Sequence, residues 1–337
     1  MSFPSKRVFV PSLAPCHAAR PVATIAASFC AALALLTATL RPSLAETWPD
    51  HSITILLPYA GGGMMDFTVR SLAKDLTDAL GQTVVVEPKA GGAGVVATLA
   101  TANAKPDGYT LLITAIGPVV LRPLMEKGAT ADPGKDLTPI ALIGDTPNVI
   151  LASPKLGVST VAELRAYAAQ HQNRLTIGHP GVGTMGQFCG MLLAAKTHIA
   201  GTMVGYRGAA PIIADLLGGQ IDIGTPAYGP GSNAVKMLAV TGSARLASLP
   251  DVPTVKESGL DMECATWLAI YGPPGMPRPI VDKLNAAINA FLKKSESHAA
   301  FAKVGLSPLG GSPERLRDRA LADAALWAPI VAASPAK

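Results

Sequence analysis

Short apolar runs alternate with amphipathic stretches along most of this chain. The run "SITILLPYA" at 52–60 is rich in β-formers and leads into three glycines, after which residues 66–81 carry apolar side chains at helical spacing. Gly81 is a typical helix stop. Strand, glycine loop and helix recur at 83–104, and a further strand follows at 110–117.

A second series of the same kind begins near residue 160. It predicts helices at 160–171, 187–196 and 209–219, with strands at 175–180, 202–206, 221–226 and 235–242 between and after them. A Pro-rich connection at 244–260, a strand at 266–274 and helices at 279–294, 296–304 and 313–330 complete the pattern. Such alternation predicts parallel sheets with helices on both faces. Two α/β domains with a cleft between them are therefore expected, with ligands beyond the carboxyl ends of the strands.

The first 45 residues form a separate segment. They carry a positive start, the apolar run "VATIAASFCAALALLTATL" and small residues at Ser43 and Ala45. These features indicate a secretory signal peptide cleaved before Glu46, which places the mature protein in the periplasm. A lipid attached at Cys30 or an uncleaved membrane anchor are the alternatives.

Charge and cysteine content change once that segment is removed. The full chain has 28 Lys and Arg against 23 Asp and Glu, and four of the basic residues lie before residue 46, leaving 24 against 23. This balance gives no indication of nucleic acid binding. Cys189 and Cys264 remain, either as one disulfide or as two separately buried thiols.

The segment Gly61-Gly62-Gly63-Met64-Met65-Asp66 lies between a predicted strand and a predicted helix. Unpaired amides at a helix N-terminus attract carboxylate or phosphate, and glycine lets a ligand approach the backbone. The alternative is a structural turn with Asp66 as helix cap. We expect an anion-binding loop, because a similar segment recurs later in the chain.

That later segment, "GHPGVGTMGQ" at 178–187, contains the spacing Gly181-x-Gly183-x-x-Gly186. It does not satisfy the dinucleotide fingerprint, because the next strand leads to Arg207 rather than to an acid. A second anion-binding helix start, with Thr184 as cap and hydroxyl donor, is the better interpretation. For the third loop, Gly91 to Gly94, a structural role is favoured.

Enzyme motifs are mostly missing from the sequence. There is no G-x-S-x-G, P-loop, H-E-x-x-H or EF-hand pattern. His179 is the one candidate acid or base, with ligand contact and a structural role as alternatives, and Asp66 is the one acid expected beside the cleft. Tyr59 and Tyr206 lie near strand ends, where pocket wall and core are both open as roles.

Several stretches resemble the Bug family, also called TctC, of solute receptors for tripartite tricarboxylate transporters. The resemblance covers essentially the whole mature chain. It rests on "PYAGGGMMDFTVRSLAKDLTDALGQTVVVEPKAGGAGVVA", "KPDGYTLLI", "GVGT", "YRGAAPIIADLLGGQID", "LAVTGSARLASLPDVPTVKESGL" and "PPGMPRPIVDKLNAAI".

The resemblance implies a type II periplasmic binding protein fold, an α/β architecture of two doubly wound lobes that close on a small carboxylate without a cofactor. Residues 46–147 with 249–337 would form lobe 1, residues 148–248 would form lobe 2, and hinges would lie near 147 and 249. Membrane permease subunits would be the partners, and a monomer is the default. The ligand-binding residues it implies, together with the pocket candidates above, are Tyr59, Gly62, Gly63, Met64, Met65, Asp66, Gly117, His179, Gly183, Thr184, Met185, Tyr206, Gly208, Thr225 and Ala227.

Departures from the family pattern bear on the ligand. Met64, Met65 and Met185 stand where small or hydroxylated residues are usual, and Gln187 stands where His is common. Three thioethers make a pocket soft and apolar. We therefore expect a ligand with an apolar or aromatic body and one carboxylate, with His179, if cationic, serving a second acid group. An exported enzyme using His179 and Asp66, and a ligand sensor for a signalling partner, are the competing functions.

Overall fold

A computed structural model describes residues 48–125, 136–171 and 174–333 of the chain. The predicted signal peptide, its cleavage site after Ala45 and the alternative lipid site at Cys30 lie outside these residues. Within the described part, no helix is both long enough and apolar enough to cross a bilayer.

Two sheets organise the described residues. The first contains β1 (Ile53–Leu57), β2 (Val84–Pro88), β3 (Thr110–Ala115), β4 (Thr138–Pro147), β10 (Ala265–Gly272) and β11 (Ser307–Pro308). The second contains β5 (Val149–Ala152), β6 (Arg174–His179), β7 (Ala200–Gly205), β8 (Ile223–Gly224) and β9 (Lys236–Val240). Across the sheets the orders are β11-β4-β10-β3-β1-β2 and β7-β6-β8-β5-β9.

Helices connect most of these strands. They are α1 (Met64–Leu80), α2 (Val95–Ala102), α3 (Arg122–Met125), α4 (Val161–Gln170), α5 (Met185–Thr197), α6 (Ala209–Leu217), α7 (Arg278–Leu292), α8 (Ser295–Ala302) and α9 (Pro313–Ala333). Short turns of 3₁₀ helix cover Gly92–Gly94, Pro154–Leu156 and Ser232–Ala234, and a π-helical turn covers Gly117–Leu121. The predicted helices at 66–81 and 313–330 thus correspond to α1 and α9, each starting or ending within three residues of the expected position.

Both faces of the central strands β1, β3 and β10 of the first sheet are buried, which explains their nearly continuous apolar sequences. Ile53 and Ile55 in β1 pack into one core together with α1 and α7, whereas Leu56 faces the other core on the opposite side. The same alternation separates Leu111 from Leu112 in β3. A strand with two buried faces shows no polar alternation, because helices cover both sides.

The sheets are mixed, and the expectation of parallel sheets is wrong in this respect. β10 runs antiparallel to both β3 and β4, and β5 runs antiparallel to β8 and β9. The reason lies in the chain path between the two sheets. β4 and β9 lead toward the connection, whereas β5 and β10 leave it, so each departing strand points opposite to the strands that end there.

Asn148 alone separates β4 of the first sheet from β5 of the second, and the chain returns through residues 241–264. We refer to the first sheet with α1–α3 and α7–α9 as the first lobe, and to the second sheet with α4–α6 as the second lobe. The exact boundaries predicted for these lobes remain a prediction. Helix α9 reaches across them, because Trp327 packs on Phe188 of α5 with ring centroids 5.7 Å apart.

Candidate functional site

A cavity of about 340 Å³ lies between the two lobes. The loop from β1 to α1 and the end of β3 border it on the first-lobe side. The starts of α5 and α6 border it on the second-lobe side. Each of these segments follows the carboxyl end of a strand, which is where an open α/β sheet holds ligands.

Most of the site residues predicted from the sequence line this cavity. They are Tyr59, Gly62, Gly63, Met64, Met65, Asp66, Gly117, Thr184, Met185, Gly208 and Ala227. They come from loops as far apart in sequence as Tyr59 and Ala227, so the fold brings the two glycine segments to one shared space. Whether these residues bind a ligand stays a prediction.

The first glycine segment forms the start of α1. Gly63 is its N-cap and has no side chain to cap the helix. Asp66, in the first turn, accepts a hydrogen bond from the Gly62 N–H at 2.9 Å and one from Arg70 Nε at 2.7 Å. The amides of Gly63, Met64, Met65 and Asp66 have no partner among the described residues, as expected for the first turn of a helix.

Space lies directly beside these amides. A Cβ atom built on Gly63 would meet no protein atom within 4 Å, and the same holds for Gly62. The backbone of Gly63 is extended, with φ −88° and ψ 176°, so the position does not itself require glycine. The empty volume at Gly63 is therefore available to a ligand rather than reserved for packing.

The second glycine segment forms the start of α5. Thr184 is the N-cap, and its hydroxyl donates to Gly181 O at 2.7 Å and accepts from the Gln187 N–H at 3.4 Å. Gln187 accepts the Gly183 N–H at 2.7 Å. The amides of Met185 and Gly186 are left without a partner in the described residues. The predicted donation of the Thr184 hydroxyl to a ligand is thus replaced by a bond within its own loop.

A third helix start faces the same cavity. Gly208 (φ 123°) is the N-cap of α6, and Ala209 and Ala210 follow it along the cavity wall. Arg207, immediately before them, also lines the cavity, and its side chain is exposed. It makes no hydrogen bond or ion pair with any described residue, which leaves its charge free to meet a ligand.

Two predicted side chains, His179 and Tyr206, turn away from the cavity. The His179 ring is buried, with 2% of the residue exposed, and its Nδ1 lies 2.9 Å from Gly181 O. Burial lowers the pKa of His179, so the neutral ring is favoured. The Tyr206 hydroxyl donates to Asp215 at 2.6 Å, and burial together with that carboxylate raises its pKa to about 12.

Gly183 and Thr225 are not part of the cavity lining either. A Cβ on Gly183 would lie 2.9 Å from Arg122 Cδ, so this glycine serves the contact between the lobes. Thr225 is fully buried and its hydroxyl donates to Gly186 O at 2.7 Å. Sequence position near a strand end places a residue close to the cleft but does not decide which way its side chain points.

The cavity wall is largely apolar. The methionine side chains at 64, 65 and 185 all line it, together with Leu57, Ile116 and Leu268. Tyr59 also contributes to the wall, and its hydroxyl lies 3.4 Å from Ala93 O. Burial raises the pKa of Tyr59, so the phenol stays protonated.

Sequence reasoning missed the polar floor of the cavity. Asn148 and Thr266 line it where the two lobes join, and the Thr266 hydroxyl donates to Asn148 Oδ1 at 2.9 Å. The available signal was an amide placed directly before the apolar run "VILA" within "IGDTPNVILASP". A buried amide in extended chain needs hydrogen-bond partners and so marks a special position.

The two lobes contact each other at the edge of the cavity, which we call its rim. A Cβ on Gly117 would lie 2.8 Å from Gly183 O, and Arg122 Nη1 donates to Val182 O at 3.3 Å. A Cβ on Gly229 would lie 3.1 Å from Met64 Cβ. The first two contacts join residues 117–122 to the loop before α5, and the third joins the start of α1 to the loop at Gly229.

Cys189 and Cys264 form a disulfide, with their Cα atoms 6.0 Å apart. The sequence left this pairing open, and the fold decides it by bringing α5 against the segment that enters β10. The bond joins the second lobe to one of the two connections between the lobes.

The two residues of the competing enzyme hypothesis do not meet in this structure. Asp66 borders the cavity with both carboxylate oxygens engaged by its own helix and loop, and the His179 ring is engaged by Gly181. Among the described residues, no group of three or more His, Cys, Asp or Glu side chains is arranged to hold a metal ion.

Comparison with known proteins decides the family. The model of the TctC family, described as the tripartite tricarboxylate transporter family receptor, matches residues 68–334. The chain belongs to the TctC family. The family resemblance inferred from the sequence is therefore confirmed, and with it the assignment as a receptor rather than an enzyme.

Individual TctC-family relatives agree with this assignment. Protein BugT of Bordetella pertussis is 32% identical over 303 residues, covering 88% of this chain and 93% of BugT. The solved structure of R. palustris Rpa4515 with adipate is 31% identical, covers 85% of this chain and 97% of that one, and superposes with a TM-score of 0.81. The periplasmic binding protein BugD, also 31% identical, covers 84% and 97% with a TM-score of 0.78. These structures confirm the predicted two-lobed α/β fold of a periplasmic binding protein.

Proposed function

We propose that this chain is a periplasmic receptor that binds a small carboxylate between its lobes and delivers it unaltered to the membrane subunits of a tripartite tricarboxylate-type transporter. The observation that carries the proposal is the set of unpartnered first-turn amides that face one cavity from both lobes. Gly63 and Met64 supply them from α1, and Met185 and Gly186 from α5. Helix-start amides and the helix dipole favour a negatively charged group.

The body of the ligand is apolar or aromatic in this proposal. Thioethers from both lobes and the side chains of Leu57, Ile116 and Leu268 support it, because they offer dispersion contacts and no hydrogen-bond donors. Burial of such a body contributes roughly 25 cal/mol per Å² of apolar surface. A small hydroxylated acid would leave its hydroxyl groups unpaired against this wall.

A second acid group, in ligands that have one, is assigned to Arg207 rather than to His179. The His179 ring is buried, neutral and bonded within its own loop. Arg207 lies at the exposed edge of the cavity with its guanidinium unpaired among the described residues. An arginine fork matches the geometry of a carboxylate. Adipate, which the similar R. palustris protein Rpa4515 holds, has an apolar chain between two such groups.

Closure of the two lobes completes the site in this proposal. Residues 46–147 with 249–337 move against residues 148–248, with the connections at Asn148 and within 241–264 as hinges. Support comes from the sheets, whose strands on either side of Asn148 belong to different lobes, and from the rim contacts of Gly117, Arg122 and Gly229. The mature receptor, cleaved after Ala45, acts as a monomer.

A panel of acids tests the ligand class. Hexanoate, phenylacetate, adipate, malate and citrate are compared by thermal shift and calorimetry, with hexanamide as the uncharged counterpart of hexanoate. We expect an acid with an apolar body to bind best and hexanamide to have no effect. At 100 times its dissociation constant the acid adds about 2.7 kcal/mol to stability. Failure of every acid would overturn the receptor proposal, whereas tight citrate binding without the apolar acids would overturn only the ligand class.

The role of Arg207 is tested by matched ligands. Adipate and hexanoate have the same number of carbon atoms and differ in the second acid group. We expect Arg207→Gln to weaken adipate binding by about 10-fold, the loss of one charge-assisted hydrogen bond, while hexanoate binding stays the same. Arg165→Gln, on the exposed face of α4, is the control and changes neither affinity. Equal losses for both acids would show that Arg207 does not recognise the second group.

A further inference from the structure

Asn148 occupies the point where both chain connections between the lobes meet. Its backbone carbonyl accepts a hydrogen bond from the Thr241 N–H at 2.9 Å, and the Thr241 hydroxyl, with one proton, lies 2.9 Å from that oxygen and 2.5 Å from Cys264 O. The Asn148 N–H donates to Cys264 O at 3.5 Å. Asn148, in the outgoing connection, is thus bonded directly to Thr241 and Cys264 of the returning connection.

The side chain of Asn148 spans the two lobes as well. Its Nδ2 donates to Thr225 O at 3.0 Å in the second lobe, and its Oδ1 accepts from the Thr266 hydroxyl at 2.9 Å in the first. Because a backbone carbonyl can only accept, the atom next to Thr225 O must be the amide nitrogen. The orientation of this amide is therefore determined by its partners.

An asparagine amide carries two N–H donors, and only one of them is used here. Asn148 is 1% exposed and lines the cavity, yet its second N–H has no partner among the described residues. Buried polar groups are almost always hydrogen-bonded. Asn148 lines the cavity, so a group that enters the cavity beside it can accept this hydrogen.

Asn285 provides the internal comparison. It is a half-buried asparagine of α7 that does not line the cavity, and its Nδ2 donates to Ile140 O at 2.7 Å and to Gly311 O at 2.8 Å. Both of its donors are used by the protein itself. The two asparagines thus differ in one respect that matters for a ligand, namely a free donor beside a cavity.

We propose that Asn148 is a ligand-binding residue, and that its second N–H donates to an oxygen of the bound acid. The inference rests on the proposed receptor function and names a contact within that site. The two side-chain partners of Asn148, Thr225 and Thr266, lie in different lobes. The ligand therefore completes a set of hydrogen bonds that spans the hinge. Occupancy of the cavity therefore stabilises this arrangement of the two connections.

The variant Asn148→Asp tests the contact with little change of shape. Aspartate keeps an acceptor for the Thr266 hydroxyl but replaces Nδ2 with a charged oxygen, which removes the bond to Thr225 O together with the free donor and repels the acid. Using the acid of the panel that gives the largest thermal shift, we expect calorimetry to show an affinity at least about 100-fold weaker than in the parent. Asn285→Asp is the matched control and changes the affinity less than about threefold, although its melting temperature falls.

The variant Thr266→Val tests whether Asn148 matters because it donates to the ligand or only because Thr266 holds its side chain in place. It removes the partner of Oδ1 and leaves both N–H donors in place, so we expect a loss of less than about fivefold. Hydrogen exchange provides the readout of the hinge. In the parent, the acid should slow exchange at the amides of Thr241 and Tyr228, which donate to Asn148 O and Pro147 O, and Asn148→Asp saturated with acid should not show that slowing.

The outcomes are distinguishable from failure of the receptor function itself. If no acid binds the parent protein, both proposals are overturned. If acids bind the parent and folded Asn148→Asp equally well, only the contact to Asn148 is overturned. Should Asn148→Asp fail to fold, the side-chain amide signals of Asn148 in ¹⁵N-labelled parent protein decide. A shift of one of its two proton signals on acid addition supports the proposal, and unchanged signals overturn it.

Discussion

The first turns of α1 and α5 share one hydrogen-bond pattern but differ in their N-cap residues and in charge. In each, the third residue of the helix reaches back to the amide before the N-cap. Asp66 accepts the Gly62 N–H at 2.9 Å, and Gln187 accepts the Gly183 N–H at 2.7 Å. Each side chain thereby holds its glycine loop in place and removes one donor from the set available to a ligand.

The two starts differ at the N-cap and in charge. Gly63 offers no side chain and has empty space beside it, whereas the Thr184 hydroxyl is already bonded to Gly181 O and caps its own helix. Asp66 is negative and paired with the exposed Arg70, and Gln187 is neutral. The α1 start therefore has more open amides and more room for an acid group, and the α5 start contributes more to stability.

The substitution Gly63→Val should produce the largest difference between the two starts. Valine fits the extended backbone at this position, and its Cβ meets no protein atom within 4 Å, but the side chain fills space beside the open amides. We expect acid affinity to fall by roughly 100-fold or more, while the free energy of unfolding changes by about 1 kcal/mol or less. Calorimetry and denaturant unfolding measure the two effects, and an unchanged affinity would contradict the assignment of this space to the ligand.

Thr184→Val, at the equivalent N-cap of α5, should show the reverse balance. It removes the helix cap and the bond to Gly181 O while keeping the shape of the side chain. The free energy of unfolding should decrease by about 1 to 2 kcal/mol, with less than about threefold change in acid affinity. Urea titration checks the first value. A loss of affinity as large as that of Gly63→Val would mean that both N-caps hold the ligand equally.

Changing the charge at the third residue of each helix, Asp66 in α1 and Gln187 in α5, tests the comparison further. Asp66→Asn keeps an acceptor for the Gly62 N–H and removes a negative charge beside the open amides, so acid affinity should rise about two- to fivefold. Gln187→Glu adds such a charge at the α5 start and should lower affinity by a similar factor. Both effects should shrink in high salt, because surface charges are screened. Calorimetry at two ionic strengths measures the acid affinity of both variants. A change of affinity in the same direction and by the same factor in both would contradict the prediction.

The smallest expected effect concerns pH and the loop before α5. The pKa of His179 lies below its ordinary value of 6.5 because the ring is buried, so the folded chain resists a proton that the unfolded chain accepts. Stability is therefore full above that value and is lost as pH falls below it toward the lower folded pKa. The loss should be about 1 kcal/mol or less between about pH 7.5 and 6.

His179→Asn should remove this loss, because the amide has no proton to gain in that range. The exposed His171 at the end of α4 is the matched control, and His171→Asn should leave the pH dependence as it is. Melting temperatures of the parent and both variants, measured between about pH 7.5 and 6, test this prediction. An equal slope in the parent and in His179→Asn would show that the ring is not the group responsible.

Predictions from the sequence succeeded where the signal is local. The strand, glycine loop and helix at 52–81 follow from apolar periodicity and from Gly81, whose positive φ of 72° ends α1. They were less decisive about the direction of a side chain. The sequence left ligand contact and a structural role open for His179, and its ring packs over Gly205 of the neighbouring strand and bonds within its own loop.

The hinge residue shows the same limit more sharply. Asn148 lies in a run that predicts an extended strand, and its neighbours in sequence do not indicate which residues it bonds. Its partners are Thr225, Thr241, Cys264 and Thr266, all more than seventy residues away. The disulfide between Cys189 and Cys264 spans 75 residues and was equally open before the fold was known.

The sequence by itself determined the α/β class and the two glycine-rich helix starts, and its resemblance to the receptor family indicated the function. The first two features depend on periodicity, turn residues and caps, whose energies act between residues a few positions apart. Only the tertiary structure decided that the sheets are mixed, that Arg207 and Asn148 border the cavity, and which amides remain open. A hydrogen bond joins neighbours in space, so the donors left for a ligand are known only after every distant partner has taken its place.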